Sequence, residues 1–182
     1  GSVVDGRLSG DLVLAGGGDP TLDTDSLGDL VAALAATGLR EVTGRFLAYA
    51  GALPGFERIT ADQPVQVGYN PGLSGLGLNY NRVNFEWKRA GSGYSLSMDA
   101  RGERFVPVVK GASVNLAARE APLFSYEGHE AWSVSQAALG DGGSRWLPVR
   151  HPAIYAGEVF QTLCAAQGIT LDQRDGADVA AE

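Results

Sequence analysis

Serine and lysine are the residues that could give this chain a hydrolytic site, because a serine nucleophile needs a base within hydrogen-bond reach. One solution is Ser-x-x-Lys, in which a helical turn brings the lysine back onto the serine. The chain has two lysines, Lys88 and Lys110. The residues three positions before them are Phe85 and Pro107, and no Lys-Thr-Gly or Lys-Ser-Gly occurs. The spacing therefore predicts no catalytic residue within this sequence.

Other groups that could do chemistry are scattered. The triplet 113–115, Ser-Val-Asn, matches a Ser-x-Asn motif, but it lies in a predicted strand and we interpret it as a chance match. His129 and His151 lack the spacing of metal ligands, so we expect polar surface or turn residues and no metal site.

The cluster Glu127, His129 and Glu130 is typical of a solvated loop. Cys164, the only cysteine, falls within an apolar helical pattern and is predicted to be a core residue.

Three consecutive glycines at 16–18 follow a short apolar run and precede Asp19-Pro20. They do not form a dinucleotide fingerprint, since Thr21 stands where the third glycine is required and Pro20 interrupts the start of the helix. They do not form a phosphate loop, because no Gly-Lys-Ser or Gly-Lys-Thr follows. The run predicts a tight turn between a strand and a helix, and we expect no cofactor.

Composition narrows the function classes. The chain of 182 residues carries 21 acidic and 14 basic side chains, a net charge of −7. Without a basic cluster to neutralise phosphates, we expect no binding to nucleic acid or to anionic lipid. No apolar stretch has the roughly 18–20 residues of a transmembrane segment. Apolar content of 45% with 19% charged residues is typical of a folded protein.

The first 70 residues predict a βαβ unit. Leu12–Ala15 is a strand candidate, and Thr24 or Asp25 can cap a helix whose apolar residues recur from Leu27 to Leu34. Gly38 is the predicted stop, and 42–49 is the next strand, interrupted by Gly44. The segment 50–71 loses periodicity and is predicted to be a long loop, of the kind that is usually either functional or disordered.

Residues 72–145 have a different residue pattern, in which apolar and polar residues alternate between glycines and prolines. It predicts short strands at 83–87, 94–98, 105–109, 113–117 and 131–137. A helix opened by Pro152 and ended by Gly168 then precedes a strand at 169–171. We therefore predict a fold of class α/β plus all-β: a small α/β domain with parallel-type strands, from 3–72 and 146–182, interrupted by an inserted antiparallel β domain over 73–145.

Several of these segments resemble, in order, the D-alanyl-D-alanine carboxypeptidase/endopeptidase family, the class C low-molecular-mass penicillin-binding proteins. The run at 8–22, Leu-Ser-Gly-Asp-Leu-Val-Leu-Ala-Gly-Gly-Gly-Asp-Pro-Thr-Leu, is the most specific. Residues 30–44 resemble that family's helix and following strand, and 69–71 with 78–81 resemble its entry to the next domain. Residues 147–152, 155–156 and 167–169 are similar to its return helix.

The resemblance implies a non-catalytic part of an exported enzyme. In the family, a serine peptidase domain that cleaves peptidoglycan stem peptides is interrupted, between its Ser-x-x-Lys and Ser-x-Asn motifs, by two further domains. This chain resembles that insertion alone, with the enzyme's own catalytic domain as its partner and a periplasmic or extracellular location. The positions similar to the family's substrate-binding acid and aromatic residue are Asp62 and Tyr69. The alternative is a standalone secreted carbohydrate- or protein-binding module.

Overall fold

The computed structural model describes residues 2–171. Its strands are β1 (Val3–Val4), β2 (Arg7–Leu8), β3 (Leu12–Ala15), β4 (Glu41–Val42), β5 (Phe46–Tyr49), β6 (Arg82–Ala90), β7 (Gly93–Asp99), β8 (Ser113–Ala117), β9 (Phe124–Gly128), β10 (Ala131–Ser135), β11 (Gly142–Pro148) and β12 (Thr170–Leu171). The helices are α1 (Thr24–Ala36) and α2 (Pro152–Ala166), with short 3-10 turns at Asn79–Asn81 and Gln136–Ala138.

The predicted βαβ unit is present, because β3 pairs in parallel with β5 and α1 connects the two regions. The predicted strand 42–49 is interrupted as expected, but its two parts, β4 and β5, belong to different sheets. The break falls at Gly44, where an ideal Cβ would lie 2.4 Å from the backbone of Gly10. A side chain cannot fit where two backbones cross this closely, and the chain changes sheet there.

The N-cap of α1 is Asp23, and the prediction of Thr24 or Asp25 is wrong. Asp23 has an extended backbone, and its carboxylate accepts the Ser26 amide at 2.7 Å. That hydrogen bond lowers the pKa of Asp23. Thr24 is fully buried, while Asp25 binds another part of the chain. The helix ends before Gly38, whose φ of +88° fits the predicted stop.

The return helix α2 has Pro152 in its first turn, and its buried stripe includes Val159, Phe160 and Cys164. Phe160 stacks on Phe46 of β5 at 5.2 Å between ring centroids, so α2 packs on the parallel strands. The helix also contacts α1 and β12. Leu171 of β12 pairs in parallel with Val42, which completes a four-stranded sheet of order β1-β2-β4-β12.

The middle of the chain forms two three-stranded sheets, β11-β6-β7 and β8-β10-β9. The predicted hairpin β6–β7 is present, but 105–109 forms only a bridge between Val108 and Asp99. Sequence reasoning missed β9 and β11, and β10 ends at Ser135 rather than 137. One pair, β8–β10, is parallel. The α/β plus β fold class is confirmed by this mixture of helices with parallel and antiparallel strands.

Two carboxylates join the helices to the middle of the chain. Asp25 of α1 accepts the backbone amides of 103, 104 and 105. Glu158 of α2 accepts the amides of 110 and 111 in the same way. Phe105 lies over Gly28, where an ideal Cβ would come within 2.5 Å of its ring. Each helix therefore holds one end of the segment 103–111.

Candidate functional site

A groove of about 690 Å³ lies between the glycine run, the long loop 51–71 and the start of β6. Its walls are largely apolar, and several large side chains remain exposed in it. Phe56 is 59% exposed, Tyr69 67% and Tyr80 63%. The charged lining residues are Asp19 and Arg82. A concave apolar surface with few polar groups is the usual form of a ligand or partner site.

The glycine run shapes this groove through two of its three members. An ideal Cβ at Gly16 would lie 2.3 Å from the Gly75 carbonyl oxygen, so only glycine allows this backbone approach. Gly18 has a φ of +86° and donates its amide to the same oxygen at 2.8 Å. Gly17 has open space where a Cβ would stand. The run is thus a tight turn, as the sequence predicts, that fastens β3 to the segment 75–76.

A left-handed turn at Asn79, Tyr80 and Asn81 forms another wall, with φ values of 53°, 56° and 56°. Its two asparagines are buried and hold it in place. Asn79 accepts the Thr24 amide at 3.0 Å and donates to the hydroxyls of Thr24 and Tyr155. Asn81 accepts the Leu78 amide and donates to the Gly72 carbonyl. Asparagine tolerates this backbone better than most residues, and Asn-Tyr-Asn was the signal available in the sequence.

Arg150 anchors the loop 51–71 from beneath, and sequence reasoning missed it. Its side chain is buried, and its guanidinium donates to the backbone carbonyls of Glu57, Asn70 and Val65. Burial lowers the pKa of Arg150. Asn70 adds a second tie, accepting the Thr60 amide at 3.0 Å and donating to the Thr60 carbonyl. Hydrogen bonds therefore hold the loop backbone at several points along its length.

Glu130 and His151 support Arg150, and the interpretation of Glu130 as a solvated loop residue is wrong. Glu130 is only 9% exposed. Its Oε1 accepts the backbone amides of Arg150 and His151, each at 2.7 Å, and lies 3.1 Å from His151 Nδ1. These donors offset the cost of burying Oε1, while Oε2 is buried without a hydrogen-bond partner in the described chain.

The two predicted site residues occupy the same loop but different surroundings. Tyr69 lines the groove, with its ring mostly exposed. Asp62 is exposed and lies outside the groove lining. Its carboxylate accepts a long hydrogen bond from the Thr60 hydroxyl at 3.4 Å, and its backbone amide donates to the same hydroxyl at 3.3 Å. The Asp62 carboxylate is thus accessible to an external group.

The remaining reactive side chains do not assemble a catalytic centre within residues 2–171. Ser113 and Asn115 are exposed on β8. Cys164 is buried, and burial raises the pKa of its thiol to about 12. In the described part of the chain, no cluster of three or more His, Cys, Asp and Glu side chains could hold a metal ion. Neither described helix is long and apolar enough to cross a membrane.

Comparison with known families decides the relationship. The model of the D-Ala-D-Ala carboxypeptidase 3 (S13) family matches residues 1–177. The chain belongs to the D-Ala-D-Ala carboxypeptidase 3 (S13) family. The resemblance seen in the sequence is thereby confirmed, although a search of curated proteins finds no match.

The fold of this S13-family chain is similar to part of penicillin-binding protein 4 of Haemophilus influenzae. One structure matches with a TM-score of 0.68 at 17% identity, over 98% of this chain and 42% of the solved chain. A second, of the same protein complexed with a novel β-lactam, matches with a TM-score of 0.65 at 18% identity, over 100% and 40%. The similarity shows a shared fold, and the S13-family chain spans about two fifths of those proteins.

Proposed function

We propose that this chain is the non-catalytic insertion of a serine-type D-Ala-D-Ala carboxypeptidase/endopeptidase that acts on peptidoglycan stem peptides outside the cytoplasm. One observation carries the proposal. The S13 family model covers 1–177, yet no serine in the sequence is followed three residues later by lysine. An S13-family chain without that pair needs its nucleophile and base from elsewhere in a longer protein. The match to 42% of a penicillin-binding protein fits this division.

The positions of the outer strands support an insertion. The strands β1, β2 and β12 belong to one sheet, in the order β1-β2-β4-β12. With strands about 4.8 Å apart, its two edges lie only about 14 Å from each other. An inserted unit must leave and re-enter its host at neighbouring points. A standalone secreted module has no such requirement.

We also propose two units, the first from 3–72 and 146–182 and the second over 73–145. The pairing of Leu171 with Val42 and the packing of α2 on β5 support the discontinuous unit. The full-length pairing of β11 with β6 favours a refined boundary at Pro148, since Trp146 and Leu147 pair with Asn84 and Val83.

In the longer enzyme, we propose that the loop 51–71 forms one wall of the substrate cleft. The support is its anchorage by Arg150, which fixes the loop, and the exposure of the Tyr69 ring and the Asp62 carboxylate. An accessible carboxylate can bind the side-chain ammonium of a stem peptide through a charge-assisted hydrogen bond. The ring of Tyr69 would contact the apolar part of the same side chain.

The test is Asp62→Asn in the full-length enzyme, assayed on stem peptides with a free side-chain amine and on a penicillin, which lacks that group. We expect roughly a tenfold or greater loss of kcat/KM on the peptides and unchanged penicillin acylation. Glu103→Gln, a matched change at another exposed acid, should alter neither. Equal losses on both ligands, or none on either, would remove Asp62 from the site.

A further inference from the structure

We propose that Arg82 is the anchor of a carboxylate-binding site in the groove, for short peptides or acyl amino acids that carry a carboxylate beside an apolar side chain. This site is distinct from Asp62, which binds the opposite charge. The inference stands on the groove of this chain and does not require the insertion described above.

Two aromatic rings fix the guanidinium of Arg82. Its central carbon lies 5.2 Å from the Tyr80 ring centroid and 5.4 Å from that of Trp146. Gly68 leaves room for this arrangement, since an ideal Cβ there would lie 3.3 Å from Arg82 Cδ and 3.1 Å from the Trp146 carbonyl oxygen. Arginine stacked on aromatic faces keeps its planar fork oriented while its N–H groups stay available.

The terminal nitrogens of Arg82 are unpaired within residues 2–171. Its Nε makes a long contact of 3.5 Å to the Asn79 carbonyl, and the two terminal nitrogens donate to no protein atom there. Five other arginines of the described chain do pair with carboxylates: Arg7, Arg45, Arg89, Arg101 and Arg104. Arg82 therefore offers two parallel donors at the groove, the arrangement that binds a carboxylate in bidentate geometry.

The backbone before Arg82 is held in an unfavourable conformation that presents both members of the stack. Three consecutive non-glycine residues in the left-handed region are energetically costly, and the buried amides of Asn79 and Asn81 maintain them. Such conformations concentrate at ligand sites, where the surrounding structure imposes them. Here the turn exposes the Tyr80 ring and leads directly into Arg82.

Other lining residues of the same groove define the rest of the ligand. The groove exposes Phe56 and Ile59, which are 59% and 56% accessible, so an apolar side chain next to the carboxylate can be buried there. A net charge of −7 disfavours loosely bound anions, and an anion must gain its affinity from local contacts. Phosphate would meet a single guanidinium, apolar walls and the Asp19 carboxylate, which also lines the groove, so the site favours the less charged, amphipathic carboxylate.

The test is titration of the 182-residue chain with N-acetyl-L-leucine, followed by calorimetry and by the indole N–H signals of the tryptophans in NMR. N-acetyl-L-leucine amide supplies the apolar body without the charge, acetate the charge without the body, and inorganic phosphate a different anion. We expect N-acetyl-L-leucine to bind at least roughly tenfold more tightly than each of the three. Equal binding of the amide, or tighter binding of phosphate, would overturn the proposal.

Variants assign the binding to Arg82. Arg82→Gln should weaken N-acetyl-L-leucine binding roughly tenfold, and Tyr80→Asn, which suits the left-handed backbone, should weaken it while leaving the fold intact. Arg89→Gln is the matched control, because Arg89 also stacks on a tyrosine, at 5.2 Å from Tyr94, but already pairs with Asp141. Circular dichroism checks that each variant is folded. Unchanged affinity in folded Arg82→Gln, or equal loss in Arg89→Gln, would refute the assignment.

Discussion

Replacing Arg150 with methionine should destabilise the chain by about 3 kcal/mol. Methionine retains an apolar stem but donates no hydrogen bond, so three backbone carbonyls lose their partner. Asn70 is fully buried, and its carbonyl, accepting at 2.6 Å, has no access to water. That unsatisfied group costs about 2 kcal/mol. The carbonyls of Glu57 and Val65 lie in more accessible parts of the loop and can bind water instead, so losing each of these hydrogen bonds costs about 0.5 kcal/mol.

The measurement is the urea midpoint together with thermal unfolding. For a chain of this size, 3 kcal/mol corresponds to a fall in Tm of about 6–12 °C. Native-state hydrogen exchange adds a local readout, because the amides of Thr60 and Asn70 are bonded within the anchored loop. Both amides should exchange faster in Arg150→Met, while those of β6 change only with global stability.

Arg89→Met is the control for this prediction. Arg89 is exposed and pairs with Asp141 at 3.2 Å, an arrangement that contributes less than about 1 kcal/mol. A loss in Arg150→Met no larger than that in Arg89→Met, with unchanged exchange at Thr60 and Asn70, would refute Arg150 as the anchor of the loop.

Three further predictions follow from single residues. Gly16→Ala should lower the free energy of unfolding by at least about 2 kcal/mol in urea denaturation, because its Cβ would overlap the Gly75 backbone. Gly17→Ala, which has open space for a Cβ, should change it by no more than about 0.5 kcal/mol. Equal effects of the two substitutions would contradict the geometry. Asp23→Ala should cost about 1 kcal/mol at pH 7. Since the pKa of Asp23 is lowered on folding, this difference should be full above the ordinary value of 3.8 and vanish as pH falls through the lowered folded value; a difference that persists at pH 2 would contradict it. Cys164, with its pKa raised to about 12 by burial, should resist iodoacetamide at pH 8 until the chain is unfolded in guanidinium, as mass spectrometry would detect; rapid alkylation of folded chain would show an exposed thiol.

Regular apolar patterns made much of the fold predictable. The spacing of Leu27 and Val31 gave α1, the stripe through Val159 and Cys164 gave α2, and alternation in 83–87 and 94–98 gave the hairpin β6–β7. The strand β11 was not predicted, because it begins with Gly-Gly-Ser-Arg, which lacks the alternation of apolar and polar residues. It is a strand because it pairs with β6. Tertiary pairing overrides weak local preference there.

The site was less predictable because its structure depends on contacts between distant residues. The sequence singled out the glycine run and the loop 51–71, and resemblance added Tyr69, which lines the groove. Nothing local in the sequence tells that Arg150 reaches carbonyls some 80 to 93 positions away, or that Glu130 binds the backbone of Arg150 and His151. The Asn-Tyr-Asn turn had a recognisable composition, but its role in presenting Arg82 emerges only from the packing of Trp146.

The most direct test of the central proposal is to label the longer enzyme that we propose contains this chain with a fluorescent penicillin, and to map the acylated serine by mass spectrometry. We predict that the adduct lies on a Ser-x-x-Lys serine outside these 182 residues, and that the 182-residue chain alone, folded by circular dichroism, takes up no label. An adduct on a serine within the chain, such as Ser113, would contradict the assignment of the chain as a non-catalytic insertion.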